Sequence, residues 1–285
     1  MSEAARKLDT EVGTLTVTPL EPTIGAEISG VDISQPISDA VRDEIKRAIL
    51  QYKVVFFRDQ VLDEDSHAAF AARFGRLYTH PNTQRSDKIA SVHKIQASDF
   101  ARYERTKTST TIEGGYHSDT SWRLAPTWGA VLRAVTLPEV GGDTVWVDAG
   151  LAYDGLSDAF KQRLEGLHVT HDFREALNRA GHDYPIVAHP IVRTHRETGR
   201  KTLWVNFTQK PHIIGVDLAE GREILQQILN AYQKPEYQVR FSWRPNSVAF
   251  WDNRAAVHIA VRNYGDFPRV LHRILIQDEV DYEQL

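Results

Sequence analysis

His117-Ser118-Asp119 and a distant His258, inside the run Phe250-Trp251-Asp252-Asn253-Arg254-Ala255-Ala256-Val257-His258, are the residues of this chain best suited to chemistry. Two imidazoles and one carboxylate can occupy a triangular face of an octahedral Fe(II), leaving three positions open for an oxidant and a co-substrate. The spacing agrees with that use. On an extended strand residues i and i+2 point to one face, so His117 and Asp119 project together and Ser118 points away. A helix would favour ligand pairs at i, i+3 or i, i+4 instead. Gly114-Gly115 before the pair, with the β-formers Thr120 and Trp122 after it, predict an extended segment. A His-x-Asp by itself arises often by chance, and a surface turn is its ordinary explanation.

Two arginines add to the pattern. Arg269 lies eleven residues after His258 and Arg273 four further on, in the strand-like run Arg269-Val270-Leu271-His272-Arg273-Ile274-Leu275-Ile276. Residues 269, 271, 273 and 275 share one face of such a strand, so both guanidiniums project to one side. Buried there, they need anionic partners, and carboxylates match the guanidinium fork. On a solvated sheet face they would need none.

In order and spacing these residues, with several further blocks, resemble the taurine dioxygenase family (the TauD/TfdA group) of Fe(II)- and 2-oxoglutarate-dependent oxygenases. The blocks are Ile24-Gly25-Ala26-Glu27-Ile28-Ser29-Gly30-Val31-Asp32, Val54-Val55-Phe56-Phe57-Arg58, Phe74-Gly75, Tyr116-His117-Ser118-Asp119, Gly141-Gly142-Asp143-Thr144, Val192-Arg193-Thr194-His195 and Trp251-Asp252-Asn253-Arg254 before His258. The likeness runs over nearly the whole chain.

The resemblance implies that His117, Asp119 and His258 bind iron. It implies that Arg269 and Thr144 hold the distal carboxylate of 2-oxoglutarate, and that Arg273 lies near the substrate anion and the iron-bound end of the co-substrate. His80 falls where the family places a histidine near the sulfonate; an ordinary loop histidine is the alternative. Tyr116 replaces the usual tryptophan before the first ligand and is expected to supply an aromatic wall to the substrate site. Glu113-Gly114-Gly115 and Phe207-Thr208-Gln209-Lys210-Pro211-His212 depart from the taurine-binding segments, which leaves the iron chemistry untouched and taurine specificity unsupported. The expected reaction consumes O2 and 2-oxoglutarate, releases succinate and CO2, and hydroxylates an sp³ carbon of a small anion bearing sulfonate, sulfate ester or carboxylate.

Elements must bring these residues together. Val41, Ile45, Ala48, Ile49 and Tyr52 form an apolar stripe that predicts a helix over 39–52, with Ser38 as its N-cap. A second helix is predicted over 63–74, with Gly75 after its end, and a third over 218–232 with Asp217 as N-cap. Strands are expected at 54–57, 89–95, 128–134, 144–148, 238–243, 248–252 and 269–277, and a hairpin around 197–199. Residues 15–30 read as a β-rich start. Frequent short strands with helices clustered towards the N-terminus predict a mainly β fold with flanking helices, a double-stranded β-helix (jelly-roll, cupin-like). Its mouth is the place for ligands from distant strands. Residues 96–115 are polar and aperiodic and run into the first ligand pair, so they are expected to act as a lid over the substrate or to be a plain insertion.

Composition excludes several classes. The 285 residues, 41% hydrophobic and free of low-complexity linkers or repeats, are expected to form one domain over 1–285. A net charge of −4 with dispersed basic residues argues against a nucleic-acid surface. No apolar run has the length of a membrane span or a signal peptide, and the absence of cysteine excludes disulfides and thiolate metal sites. A cytoplasmic enzyme is the expectation, and the resemblance implies a homo-oligomer, dimer or tetramer. His168 and His171 are expected to be structural. Two rivals use the same residues: a zinc hydrolase built on the His/Asp/His set, which leaves the arginines without a role, and a non-catalytic anion-binding jelly roll.

Overall fold

The computed structural model describes residues 15–81, 86–96 and 115–278, together with the backbone of Arg6–Lys7. The expected lid over 96–115 falls almost wholly outside them. In chain order the first strands are β1 (Arg6–Lys7), β2 (Thr16–Pro19), β3 (Ala26–Ser29), β4 (Val54–Phe57), β5 (Leu77–Tyr78), β6 (His93–Gln96), β7 (Gly129–Thr136) and β8 (Thr144–Asp148). They are followed by β9 (His168–His171), β10 (Val187–Pro190), β11 (Val192–Thr194), β12 (Lys201–Leu203) and β13 (Ile213–Ile214). The last are β14 (Gln238–Phe241), β15 (Val248–Asp252), β16 (Ala256–Ala260) and β17 (Val270–Ile276). A large sheet runs in the order β1-β2-β3-β4-β15-β7-β17-β5, with β6 also on β17, and a small sheet runs β14-β8-β16.

The period-2 alternation of strand side chains explains how the sheets stack. In β4, Val55 and Phe57 face a helix-covered core, whereas Val54 and Phe56 face a second core between the sheets. Strand β15 divides the same way: Val248 and Phe250 go to the helical side, Ala249 and Trp251 to the interior. The small sheet closes the interior with Trp146, Val239, Phe241 and Ala256, and Phe56 stacks on Phe241 with ring centroids 4.0 Å apart. This is the expected jelly roll. Because both faces of β4 are covered, its sequence is an unbroken apolar run rather than an alternating one.

Helices supply the outer cover. α1 (Asp39–Tyr52) is N-capped by Ser38, whose hydroxyl accepts from Val41 N, and it buries Ile45, Ala48, Ile49 and Tyr52. α2 (Glu64–Ala72) starts at a reciprocal Asp63/Ser66 capping box and stops two residues earlier than its pattern predicts. Short helices α3 (Ala149–Asp154), α4 (Asp158–Leu164) and α5 (Arg174–Arg179) follow, none of them predicted. They have two turns or fewer, too short to show a 3.6-residue period. α6 (Leu218–Tyr232), capped by Asp217, buries Ile224, Leu225, Ile228 and Leu229 against the outer face of the small sheet and β12. Among the described residues no helix is long and apolar enough to cross a membrane.

Several histidines lie inside this scaffold away from the ligand cluster. His67 is buried, within hydrogen-bond distance of Val131 O at 3.2 Å, and burial with the nearby Arg133 charge pushes its pKa down to about 3. Burial, aided by Arg193, lowers His189 to about 4, and burial with His189 drops His171 well below the ordinary range. The predicted structural role of His171 fits its position on β9. His67 and His189 are neutral when folded and take a proton near pH 6.5 only when unfolded, so their stabilisation is complete above that pH and is lost as pH falls towards 3–4. The melting temperature of metal-free protein should therefore fall steadily from pH 7 to pH 5. His67→Gln should make that fall shallower; an unchanged slope in calorimetry would contradict the assignment.

Candidate active site

The two candidate imidazoles meet because their backbones do. His117 N donates to His258 O at 3.0 Å and His258 N donates to His117 O at 2.8 Å, an isolated antiparallel bridge. Residues directly opposite in such a pair send their side chains to the same face. The rings lie 4.2 Å apart between centroids. His258 sits on β16, a strand absent from the sequence reading, and shares the interior face with Ala256. Asp119 completes the set: its carboxylate and the two imidazoles offer ligand atoms that all lie within 4.8 Å of one another.

The segment is not extended throughout, contrary to what its residue types predict. The chain is extended only through Ser118; Asp119 to Trp122 form a turn, and Thr120 has φ 53°. The β-forming type of Thr120 is outweighed by tertiary hydrogen bonds between its hydroxyl and Thr127, since β-propensity depends on context.

The donor set suits a divalent metal. His117 Nδ1 lies 3.0 Å from the acceptor Gly115 O, which assigns the proton to Nδ1 and the lone pair to Nε2. Burial lowers the pKa of His117 against the opposing charge of Asp119, and burial, with any proton on His117 and the Arg273 charge opposing a second one, holds His258 well below the ordinary range. Both rings thus keep a lone pair at neutral pH. Asp119 Oδ2 and His258 Nδ1 are buried with no hydrogen-bond partner among the described residues. Buried polar atoms are rarely left so without a ligand or water to satisfy them. A second cluster, His195, Glu197 and Asp252, has similar spacing, but a guanidinium already fills it. Arg254 donates to both carboxylates and His195 Nε2 lies 3.0 Å from Asp252 Oδ2. Although burial pushes the Asp252 pKa up, Arg254 and His195 hold it well down, as in a structural ion network.

The arginines diverge. The pairing of β17 with β7 shifts register between Val270 and Leu271, skipping Val135 on β7, and Arg269 lies just before β17 begins. Arg273 keeps the interior face of Leu271 and Leu275 and donates from Nη1 to Asp119 Oδ1 at 2.5 Å, while its Nε is buried without a partner. Arg269 is 2% exposed, donates from Nε to Gly142 O at 2.8 Å and from Nη2 to Thr144 Oγ1 at 3.3 Å, and forms no ion pair among the described residues. The expectation of carboxylate partners thus holds for Arg273 and fails for Arg269 within the protein. Burial lowers the Arg269 pKa, a sign that its charge lacks full compensation. Gly142, at φ 74°, lets the backbone approach: a Cβ there would lie 3.0 Å from Arg269 Cδ.

Of the predicted substrate contacts, Arg273 and His80 lie at the cluster and Tyr116 does not. His80 is buried beside Trp122 and Phe173, with ring centroids 5.7 and 5.9 Å away, and its backbone N donates to His93 Nε2 at 2.9 Å. Burial and then the Arg273 charge lower its pKa to about 3, so it is a neutral ring at the cluster's edge. Tyr116 does not form the expected wall. Next to His117 in an extended segment it must point the opposite way, and it packs on Tyr232 in the outer core, its hydroxyl accepting from Gln238 Nε2. Trp243 was missed: its indole N–H donates to Thr144 Oγ1 at 3.0 Å. Only its aromatic type was visible in sequence, and six tryptophans share that.

Comparison with known proteins agrees with this geometry. Residues 16–275 match the family described as taurine catabolism dioxygenase TauD, TfdA family. An alkylsulfatase of Acinetobacter baylyi is 30% identical, covering 90% of this chain and 83% of its own length. An alpha-ketoglutarate-dependent sulfonate dioxygenase of Saccharomyces cerevisiae is 31% identical over 96% of this chain and 69% of its own. The crystal structure of a taurine dioxygenase from Burkholderia xenovorans superimposes with a TM-score of 0.81 at 35% identity, covering 93% of this chain and 90% of that one. With the family match spanning both sheets, the chain belongs to the TauD/TfdA family and is a 2-oxoglutarate-dependent dioxygenase, an oxidoreductase.

Proposed function

We propose that His117, Asp119 and His258 hold Fe(II), that Arg269 and Thr144 bind the distal carboxylate of 2-oxoglutarate, and that Arg273 with His80 receives the anionic group of the substrate. The observation that carries this reading is Arg269: a buried guanidinium with no ion-pair partner among the described residues, in a fold that also brings three donors mutually close, two of them with an unpaired buried atom. A charge so placed is costly unless an anion completes it. Fe(II), when bound, supplies the activation of dioxygen that converts 2-oxoglutarate to succinate and CO2 and inserts a hydroxyl into a substrate C–H bond.

The chain's own residues bind and orient. Thr144 Oγ1 accepts from both Trp243 and Arg269, which occupies its two lone pairs and leaves its proton to donate to a carboxylate. Arg269 then adds a charge-assisted bond to the same group. Arg273 has donors beyond the one given to Asp119, including the unpartnered Nε, and these can meet a sulfonate, sulfate or carboxylate. His80, neutral, contributes a ring N–H or lone pair rather than a charge. Hydroxylation at a carbon bearing a sulfonate or sulfate-ester oxygen yields a product that cleaves spontaneously, which matches the activities named for the relatives. Sheet topology also favours one working unit over 1–285, since His258 and Thr144 come from the small sheet while Arg273 comes from the large one.

Anaerobic titration of Fe(II)-protein with 2-oxoglutarate tests the reading. A visible metal-to-ligand charge-transfer band should grow to one equivalent, and its absence, with zinc-supported hydrolysis instead, would favour the hydrolase. Arg269→Gln should raise the half-saturating 2-oxoglutarate concentration by about tenfold or more. Anion-stimulated succinate release should identify the substrate class: Arg273→Gln should raise the half-saturating anion concentration by about tenfold and leave that of 2-oxoglutarate much less changed. Equal effects on both would contradict the division of labour.

A further inference from the structure

We infer that Asn253, in the Trp251-Asp252-Asn253-Arg254 block, is a positioning residue for the carboxylate ligand Asp119; this rests on the metal reading above. Asn253 is fully buried in the turn between β15 and β16. Its Oδ1 accepts from Asp119 N at 2.7 Å, and its Nδ2 donates to Asp119 O at 2.7 Å and to Thr127 O at 3.0 Å. Both backbone groups of one residue, 134 positions away in sequence, are therefore held by one side-chain amide. An amide of this length offers one acceptor edge and one double-donor edge; a carboxylate would set oxygen against two carbonyls, and an apolar side chain would leave three buried groups unpaired.

The clamp is matched by strain in the segment it holds. Thr120, directly after Asp119, is β-branched yet sits at φ 53°. Such residues avoid the left-handed region, and strain of this kind persists only where surrounding structure over-determines it. Here the determinants are present. Thr120 Oγ1 lies 2.9 Å from both Thr127 N and Thr127 Oγ1, and Asn206 Nδ2 donates to Ser118 O at 3.2 Å. With its N–H and C=O fixed, Asp119 has only its side-chain torsions left. Arg273 fixes those through Oδ1, which leaves Oδ2 unpaired. The same turn continues into β16, which carries His258 five residues on, so a single turn sets two of the three donors, one along the chain and one across space.

The test uses Co(II), a spectroscopic stand-in for Fe(II), with full-length wild type, Asn253→Ala, Asn253→Asp and Ile228→Val. The last trims the outer core and serves as a destabilised control with the turn intact. Isothermal titration should show one Co(II) per wild-type chain, with affinity reduced about tenfold to a hundredfold in both Asn253 variants and unchanged in Ile228→Val. The visible Co(II) bands should shift in the Asn253 variants alone, and the rise in melting temperature on adding Co(II) should be lost in them and kept in the control. Co(II) affinity and bands like wild type in Asn253→Ala would overturn the inference while leaving the metal reading intact. A wild-type chain that binds no Co(II) would overturn both. Should Asn253→Ala not fold, Asn253→Asp, which keeps the acceptor towards Asp119 N, gives the same comparison.

Discussion

The structure depends on a reciprocal pair of backbone hydrogen bonds, His117 to His258 and back, at 3.0 and 2.8 Å. That bridge joins the segment entering the site to the edge of the small sheet, and from it the direction of both imidazoles follows without further adjustment. It also decides what is not in the site. Because His117 points inward, Tyr116 must point outward, where it packs on Tyr232. A pair of hydrogen bonds between main chains is well suited to this task, since it fixes orientation without using any ligand atom.

Charge placed where water is scarce is the second constraint, and the two arginines meet it differently. Arg273 is compensated inside the protein by Asp119. Arg269 has carbonyl and hydroxyl hydrogen-bond partners and no ion-pair partner among the described residues. The His195–Asp252–Arg254–Glu197 network shows the contrasting case: its groups satisfy one another and brace the turn from which Asn253 reaches Asp119. Similar residue types therefore satisfy one another in one cluster and are left with unpaired buried atoms in the other, and hydrogen-bond completeness distinguishes them.

Much of this was legible in the sequence because the signals are local. Ser38 and Asp217 mark their helices, the apolar run of β4 marks a doubly covered strand, and His-x-Asp marks two side chains on one face. The jelly roll followed from frequent short strands with helices towards the N-terminus, and the family from the order of blocks. What escaped was non-local or too short. The turn at Asp119 is imposed by Asn253 and Thr127, so β-propensity at Thr120 misled. The register shift between β17 and β7 at Val270/Leu271 leaves no mark in an alternating pattern. Trp243 acquires its role only by lying across β14–β8 from Thr144, and α3 to α5 are too brief to show a period.

The most direct measurement of the central claim is crystallographic: anomalous scattering from Mn(II) in anaerobic crystals grown with 2-oxoglutarate. The account predicts a single strong peak coordinated by His117, Asp119 and His258, with the distal carboxylate of the co-substrate on Arg269 and Thr144. A peak at the His195–Glu197–Asp252 cluster, or a co-substrate whose carboxylate lies away from Arg269, would contradict it.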